Sequence, residues 1–356
     1  MTSLPGSDGG AGSVPAPPPG TPGHRTVTRD DVAALAGVSA AVVSYVLNDG
    51  PRPVSATTRE KVEAAVQALG YRPDGRARSL RLGRTHALGL ILPDAANPFF
   101  AELAHAIERA AARDGYALLI CNTSDSPADE QRYLDDLARR RVDGMIVVSA
   151  RTDTDLSRWV RAATPIVAMD RLPDDSQVST VRFAHDKGAA TATRHLLGHG
   201  LRHIGLIAGP SHLAVSEARA AGWRHAMTMS ATPADSCVHA PFSYLGGYRA
   251  ALDLLGRQDR PEAILTSSDV QAVGTISAAA HLGVRIPDDL AVASIDGTRA
   301  AAFANPGLTT VSQPVDRMAA CAVQHVIHGG GEVIHRTYSG RLIRRRSCGC
   351  PTLTAG

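Results

Sequence analysis

A small all-α DNA-binding headpiece followed by an α/β body of two parallel-sheet subdomains is the architecture this sequence predicts. Three observations predict it. The first is a change of rhythm near residue 85, from helical spacing to short β-rich apolar runs alternating with helical stretches. The second is charge: residues 24–84 carry ten Arg or Lys against six Asp or Glu, a net +4, whereas residues 85–356 carry 27 against 27. Positive charge concentrated in a short segment of an otherwise neutral chain is the electrostatic footprint of a nucleic-acid-binding module. The third is size, since 356 residues at 44% hydrophobic exceed one ordinary domain and can bury a substantial core. A wholly disordered or fibrous chain is thereby excluded. No run approaches the roughly 18 apolar residues of a membrane helix. Five cysteines are too few and too odd for a disulfide framework.

Residues 1–23 hold six Gly and six Pro and almost no large apolar groups, so this tail is expected to be disordered. It lacks the charged start and apolar run of an export signal, which makes the cytoplasm the expected compartment. The headpiece spans residues 24–73. Thr28 is placed to cap a first helix, with Asp30 and Asp31 in the first turn where the helix dipole favours anions. Gly37 is placed to end that helix, and Ser39 to cap a second one reaching about Asn48. Val32 and Leu35 of the first helix and Val43 and Val46 of the second form the expected contact, with Leu47 also buried. Ser55 caps a third helix, 56–69, closed by Gly70. Two short helices joined by Ala36-Gly37-Val38-Ser39 read as a helix-turn-helix. Its second helix would present Ala40, Ala41, Ser44 and Tyr45 to base edges in the major groove. The basic run 74–84 reads as a solvated linker, or as a short helix whose Leu80 wedges into the minor groove between arginines.

In the body, eight runs predict strands: Ala87–Leu92, Ala117–Cys121, Gly144–Val148, Pro165–Met169, His203–Ala208, Val238–Ala240, Ala263–Thr266 and Leu290–Ile295. Their spacing, with helices between, means βαβ units and parallel sheets. Two similar subdomains fit better than a single eight-stranded barrel, because the spacing lapses over the polar segment Arg171–Ala184. Ligands of open α/β sheets sit beyond the carboxyl ends of strands. Those ends carry Asp94 and Asn97, Asn122 and Ser124, Asp170 and Arg171, Ser268 and Asp269, and Asp296. Phe99, Phe242 and Trp223 are candidate stacking faces, with Trp223 favoured as core.

Several motifs carry a resemblance. Val27–Ser39, Val43-Ser44-Tyr45-Val46-Leu47-Asn48, Thr58–Val62 and Leu69-Gly70-Tyr71-Arg72-Pro73 resemble the opening of the lactose-repressor (LacI/GalR) family. Leu88–Asp94, Asn97-Pro98-Phe99-Phe100, Arg140–Gly144, Ala221-Gly222-Trp223 and Leu308–Pro314 resemble that family's effector domain. The likeness runs over about residues 26–347. It implies a dimeric repressor with a periplasmic-binding-protein-like body, palindromic operator DNA as partner and a small-molecule effector. The body would divide into about 85–184 plus 304–316 and 185–303 plus 317–347. Ala40, Ala41 and Tyr45 fall on the family's base-reading positions, and Leu80 on its intercalating hinge position. Thr28, Ser39, Val42, Ser44 and Asn48 complete the candidate DNA contacts of the headpiece, and Arg76, Ala77 and Arg81 those of the hinge. Asp170, Arg219, Ser268 and Asp296 match the family's effector-contacting positions; Asp94, Asn97, Phe99, Phe242 and Asp269 join them. Carboxylates, an arginine and hydroxyls around an apolar cleft suit a sugar or related polar metabolite.

The sequence also departs from the family. Tyr45 stands where an arginine is usual and cannot make its bidentate guanine contact. Val42 replaces a threonine phosphate contact, Ala184-His185 replaces Asp-Asn, and Ser268 replaces an asparagine. The expected reading is therefore a sequence-specific regulator, most readily a repressor, whose operator and effector are its own. The alternative is a small-molecule-binding or enzymatic body with vestigial DNA binding. No Walker loop, nucleophile elbow or poised catalytic set supports an enzyme, and no cofactor is expected. No metal is expected either. Gly198 and Gly200 are read as breaking the helix that would align His195, His199 and His203, and Cys348-Gly349-Cys350 as an ordinary terminus. Phe100–Ala111 and Met318–Ile327 are candidate dimerisation strips or, alternatively, simply core.

Overall fold

The computed structural model describes residues 27–47, 52–72, 83–148, 156, 164–170 and 177–351. The chain divides into two compact units, residues 1–81 and 82–356. In the first, α1 (Arg29–Ala36), α2 (Ala40–Leu47) and α3 (Ala56–Leu69) enclose Val32, Ala33, Val43, Val46, Val62 and Ala65. Thr28 and Asp31 close a capping box, the Thr28 hydroxyl accepting from Asp31 N and the Asp31 carboxylate from Thr28 N at 2.8 Å. Gly37, at φ 66°, ends α1, and the direction of the chain turns by 102° into α2. That bend is the angle a helix-turn-helix requires. Leu35 departs from expectation, being 56% exposed, while Ala33 joins Val32 in the headpiece core. Leu47 is only half-buried.

The second unit contains two six-stranded sheets. The first orders β11 (His335–Tyr338), β5 (Ser179–Phe183), β4 (Ile166–Met169), β3 (Gly144–Val148), β1 (Ala87–Leu92) and β2 (Ala117–Asn122), all parallel. The second orders β12 (Arg341–Ile343), β10 (Thr309–Ser312), β9 (Ala291–Asp296), β8 (Ala263–Thr266), β6 (Ile204–Ala208) and β7 (Cys237–His239). Only β12 runs antiparallel, against β10. Both sheets thus repeat the doubly-wound order 2-1-3-4-5 with one added edge strand, and each has its switch point between its first and third strands. The central strands β1, β3, β4, β6, β8 and β9 are buried almost throughout, as sheets covered on both faces demand.

The helices of the body are α4 (Pro98–Arg113), α5 (Pro127–Arg139), α6 (His185–Gly198), α7 (Ala214–Met229), α8 (Tyr244–Leu255), α9 (Asp269–His281), α10 (Arg299–Phe303) and α11 (Val315–His328). Four expectations need correction. Strand β5 lies within the segment read as irregular: Ser179 and Thr180 are buried there because their hydroxyls meet His325 Nε2 at 2.7 Å and His335 Nδ1 at 2.8 Å. The assignment of residues 304–338 is reversed, since β10 joins the second sheet while α11 and β11 pack on the first; β12 lies in the second sheet, as expected. The strips Phe100–Ala111 and Met318–Ile327 are interior, because α4 and α11 pack against each other and bury Leu103, Ile107, Met318 and Val323. Finally, α6 runs through Gly198 to a cap at His199, so His195 and His199 do share one side of a helix end. His203 is separate, bound to Ser236 Oγ at 2.9 Å and Asp259 at 3.4 Å. Among the described residues no single helix is long and apolar enough to cross a membrane.

Candidate functional site

A cavity of about 230 Å³ opens where carboxyl ends of strands from both sheets face one another. From the first sheet come Pro93, Asp94 and Asn97 after β1, Val148 of β3 and Asp170 after β4; from the second come Pro210 after β6, Ser268 after β8 and Asp296 of β9. Phe99, Phe242, Leu213 and Val215 supply apolar wall. The loop after β1 is braced from its neighbour strand, with Asn122 accepting from Ala95 N at 2.9 Å. Asp94 accepts from Ala96 N at 2.9 Å, and Asn97 caps α4 by accepting from Phe99 N at 3.0 Å. Three acids of the lining hold unusual backbone: Asp125 at φ 58°, Asp170 at φ 69° and Asp296 at φ 131°. Strained dihedrals at strand ends are a feature of binding sites, held there by surrounding bonds.

One continuous polar chain crosses the cavity wall. Asp170 accepts from Phe183 N at 2.9 Å and lies 3.3 Å from His185 Nε2. Arg219 Nε donates to His185 Nδ1 at 3.2 Å. A guanidinium cannot accept, so Nδ1 is the acceptor and the imidazole carries its proton on Nε2, towards Asp170. Arg219 also donates to Ser267 O and, at 3.4 Å, to Asp296 Oδ1, with Phe242 lying 5.6 Å from the guanidinium carbon. Gln313 Nε2 donates to the same Asp296 oxygen at 3.1 Å. Gly222, one turn beyond Arg219, makes this possible: a Cβ there would lie 2.0 Å from Asp186 O, so only glycine lets α7 close on the first turn of α6.

Burial sets the charge states and neighbours modify them. Burial alone would raise Asp170; His185, the Phe183 N–H and Arg219 bring it below the usual carboxylate range. Burial pushes Asp296 up to about 7, against the pull of Arg219 and with the Asp269 charge adding to the rise. Arg219 commits three of its five N–H donors to the protein, leaving two for a ligand.

Of the sequence-predicted effector residues, Asp94, Asn97, Phe99, Asp170, Arg219, Phe242, Ser268 and Asp296 line this cavity. Asp269 does not. Its carboxylate turns away to accept from Thr298 N at 2.7 Å, Thr298 Oγ1 at 2.8 Å, Thr310 Oγ1 at 2.8 Å and Ser294 Oγ, an internal knot joining β9, β10 and α9. Trp223 is fully buried core, as favoured. Sequence reasoning missed Phe100, Asp125, Pro241 and Ser243, and had His185 near the cleft only as a departure from the family's Asp-Asn, without a role. In the headpiece, Thr28, Ser39 and Ala41 are exposed and Ala40, Val42, Ser44 and Tyr45 half-buried. The Thr28 hydroxyl is occupied by its capping box. Asn48, Arg76, Ala77, Leu80 and Arg81, with Arg171, lie outside the described residues. Away from the cavity, His195, His199, Cys348 and Cys350 converge, contrary to the expectation of no metal-ligating set.

A helix-turn-helix unit and a two-sheet body with a ligand cavity define a DNA-binding regulator that responds to a small molecule. Residues 28–74 match the family model of bacterial regulatory proteins of the lacI family, and residues 85–338 that of periplasmic binding proteins and the sugar binding domain of the LacI family. The chain belongs to the LacI family of bacterial regulatory proteins. It is 35% identical over 305 residues to the ribose operon repressor of Escherichia coli (strain K12), covering 85% of this chain and 92% of that one. It is 34% identical over 301 residues to the HTH-type transcriptional repressor PurR of Photobacterium profundum, covering 83% and 90%. The crystal structure of the lac repressor dimer bound to operator and the anti-inducer ONPF matches with a TM-score of 0.82 at 27% identity, over 91% of this chain and 99% of that one. These relatives are transcriptional repressors, not enzymes, and this chain is a transcriptional regulator of their kind.

Proposed function

We propose that the protein is a cytoplasmic homodimeric repressor that reads a palindromic operator with α2 and changes its operator affinity when a neutral, monosaccharide-sized polyol enters the cavity. The observation that carries this reading is the chain Asp170–His185–Arg219–Asp296–Gln313. It runs from the first sheet to the second through two of the three segments, 184–185 and 313–314, where the backbone crosses between them; the third lies at 339–340. A ligand bonded to this chain bears directly on the angle between the sheets, and differential affinity for two such angles is what shifts a population.

The cavity's chemistry favours a polyol. Arg219 is the only Arg or Lys among the described lining residues, and Asp296 already pairs with it. Asp94 and Asp125 add acceptors and negative charge, so a phosphorylated ligand would meet repulsion. Hydroxyls both donate and accept, matching carboxylates on one side and guanidinium on the other. The volume falls below the roughly 300–1,000 Å³ of pockets for drug-sized ligands, which fits one sugar ring between Phe99 and Phe242. The relatives favour the same reading, one being a ribose operon repressor and one an operator-bound dimer.

The test is selection of genomic DNA fragments by the purified protein at one stated salt concentration, with and without a panel of neutral monosaccharides. The reading predicts an enriched palindrome and one or more sugars that change its recovery. An enriched palindrome with no response to any polyol refutes the effector class. No enrichment at all refutes the operator reading.

A further inference from the structure

The helix end at His195 and His199 and the turn at Cys348-Gly349-Cys350 meet about 150 residues apart in the chain. His195 Nε2 lies 3.2 Å from Cys348 Sγ and 3.6 Å from Cys350 Sγ, while His199 Nε2 lies 3.5 Å from Cys350 Sγ and 3.3 Å from His195 Nε2. All four donor atoms fall within 4.8 Å of one another. The two rings stand at 89°, edge to face, with their Nε2 atoms 3.3 Å apart.

We propose that His195, His199, Cys348 and Cys350 bind a structural Zn2+ ion that fastens the C-terminal segment to the end of α6. A tetrahedron with Zn–N of about 2.05 Å and Zn–S of about 2.3 Å sets its nitrogens about 3.3 Å apart and nitrogen from sulfur about 3.5 Å apart. Four of the six donor pairs lie within about 0.4 Å of these spacings, and the remaining two, His199–Cys348 and Cys348–Cys350, lie within 4.8 Å. Two imidazoles and two thiols in a tetrahedron select zinc over the hard, oxygen-seeking cations. With four protein ligands the site is closed, which is the structural rather than the catalytic arrangement. Binding sends the two thiol protons to solvent, and two thiolates then balance the ion's charge within a half-buried pocket.

The local backbone is arranged to present the thiols. Gly349 adopts φ 87°, a left-handed turn that swings Cys348 and Cys350 to one side. Ser347 anchors the turn, donating to Val292 O at 2.6 Å and accepting from Thr309 N at 2.8 Å. Thr309 Oγ1, which donates to Arg345 O at 2.9 Å, lies 3.0 Å from Cys348 Sγ and braces the turn beside the thiol. The consequence reaches the cavity, because α6 carries His185 at its other end.

The test uses the full chain, reduced, loaded with Zn2+ and freed of excess by gel filtration, with metal content measured and a parallel sample loaded with Co2+. One zinc per chain is expected, together with the thiolate charge-transfer and tetrahedral d–d absorption of cobalt. Cys350→Ser should abolish retention. His199→Asn, at an exposed position, should keep an unchanged circular dichroism spectrum yet weaken zinc by more than the roughly 10–100-fold that loss of an outer-shell partner costs. Absence of both zinc and the cobalt spectrum in reduced wild-type protein would overturn the proposal, as would equal retention by wild type and both variants.

Discussion

Replacing Asp296 by asparagine isolates one buried proton. Asp296 is 5% exposed and its carboxyl is pushed up to about 7, chiefly by burial. In the unfolded chain an aspartate titrates near 3.9. Between these two values the folded state holds a proton that the unfolded state has released, so stability falls as pH rises through the window. Three units at about 1.4 kcal/mol each give a loss of about 4 kcal/mol between pH 4 and pH 8 from this one group. Asparagine keeps the Oδ1 acceptor for Arg219 and Gln313 but does not titrate. It loses the Oδ2 acceptor of Asp269 N, at a cost of about 1 kcal/mol. The variant should therefore be slightly less stable than wild type at pH 4, about equal to it near pH 5 and more stable at pH 8. Asp170 does not confuse the result, since its lowered carboxyl affects stability only on the acid side of this window. Urea unfolding of both proteins at several pH values, followed by tryptophan fluorescence, measures the difference. Parallel curves from pH 5 to pH 8 would refute the reasoning.

Two further outcomes follow from packing and sequence. Gly222→Ala drives a methyl group into the Asp186 carbonyl, separates α6 from α7, and should cost about 1–3 kcal/mol of stability together with most ligand affinity; an unchanged urea midpoint would refute the close-approach argument. Leu80→Ala should weaken operator binding far more than nonspecific DNA binding in titrations at fixed salt, because an apolar wedge acts only on the site it bends. Equal losses on both DNAs would remove the wedge.

Legibility in the sequence followed the reach of each signal. The headpiece was readable because its cues are local: Thr28, Gly37, Ser39, Ser55 and Gly70 each act within a few residues of where they stand. Six of the eight apolar strands were readable because burial on both faces leaves continuous β-rich runs, whereas the edge strands β2 and β7 are largely exposed and were readable from their β-rich composition alone. Strand β5 escaped because its burial rests on hydroxyls of Ser179 and Thr180 paired with His325 and His335, partners supplied from 146 and 155 residues away. Most cavity residues were found because strand ends in this architecture converge on one place. Asp269 was misplaced because it adjoins Ser268 at the start of α9, and nothing local shows that its side chain turns inward to Thr298 and Thr310. The crossings of residues 304–347 between sheets, and the meeting of His195 with Cys348, depend on tertiary pairing alone.

The central claim is that the cavity controls DNA binding through Arg219. It is tested most directly by titrating a selected operator fragment with wild type and Arg219→Met, each with and without the responding sugar, by fluorescence anisotropy. Loss of Arg219 removes the two donors its hydrogen bonds to the protein leave uncommitted at the cavity wall, and removes the pull that lowers the Asp296 carboxyl. Charge-assisted hydrogen bonds of about 1.5–3 kcal/mol each predict at least a tenfold loss of sugar affinity. Wild type should show a sugar-dependent change in operator Kd, and the variant should bind operator with no such change at the same sugar concentration. An identical sugar response in both proteins would place the effector elsewhere and contradict the account.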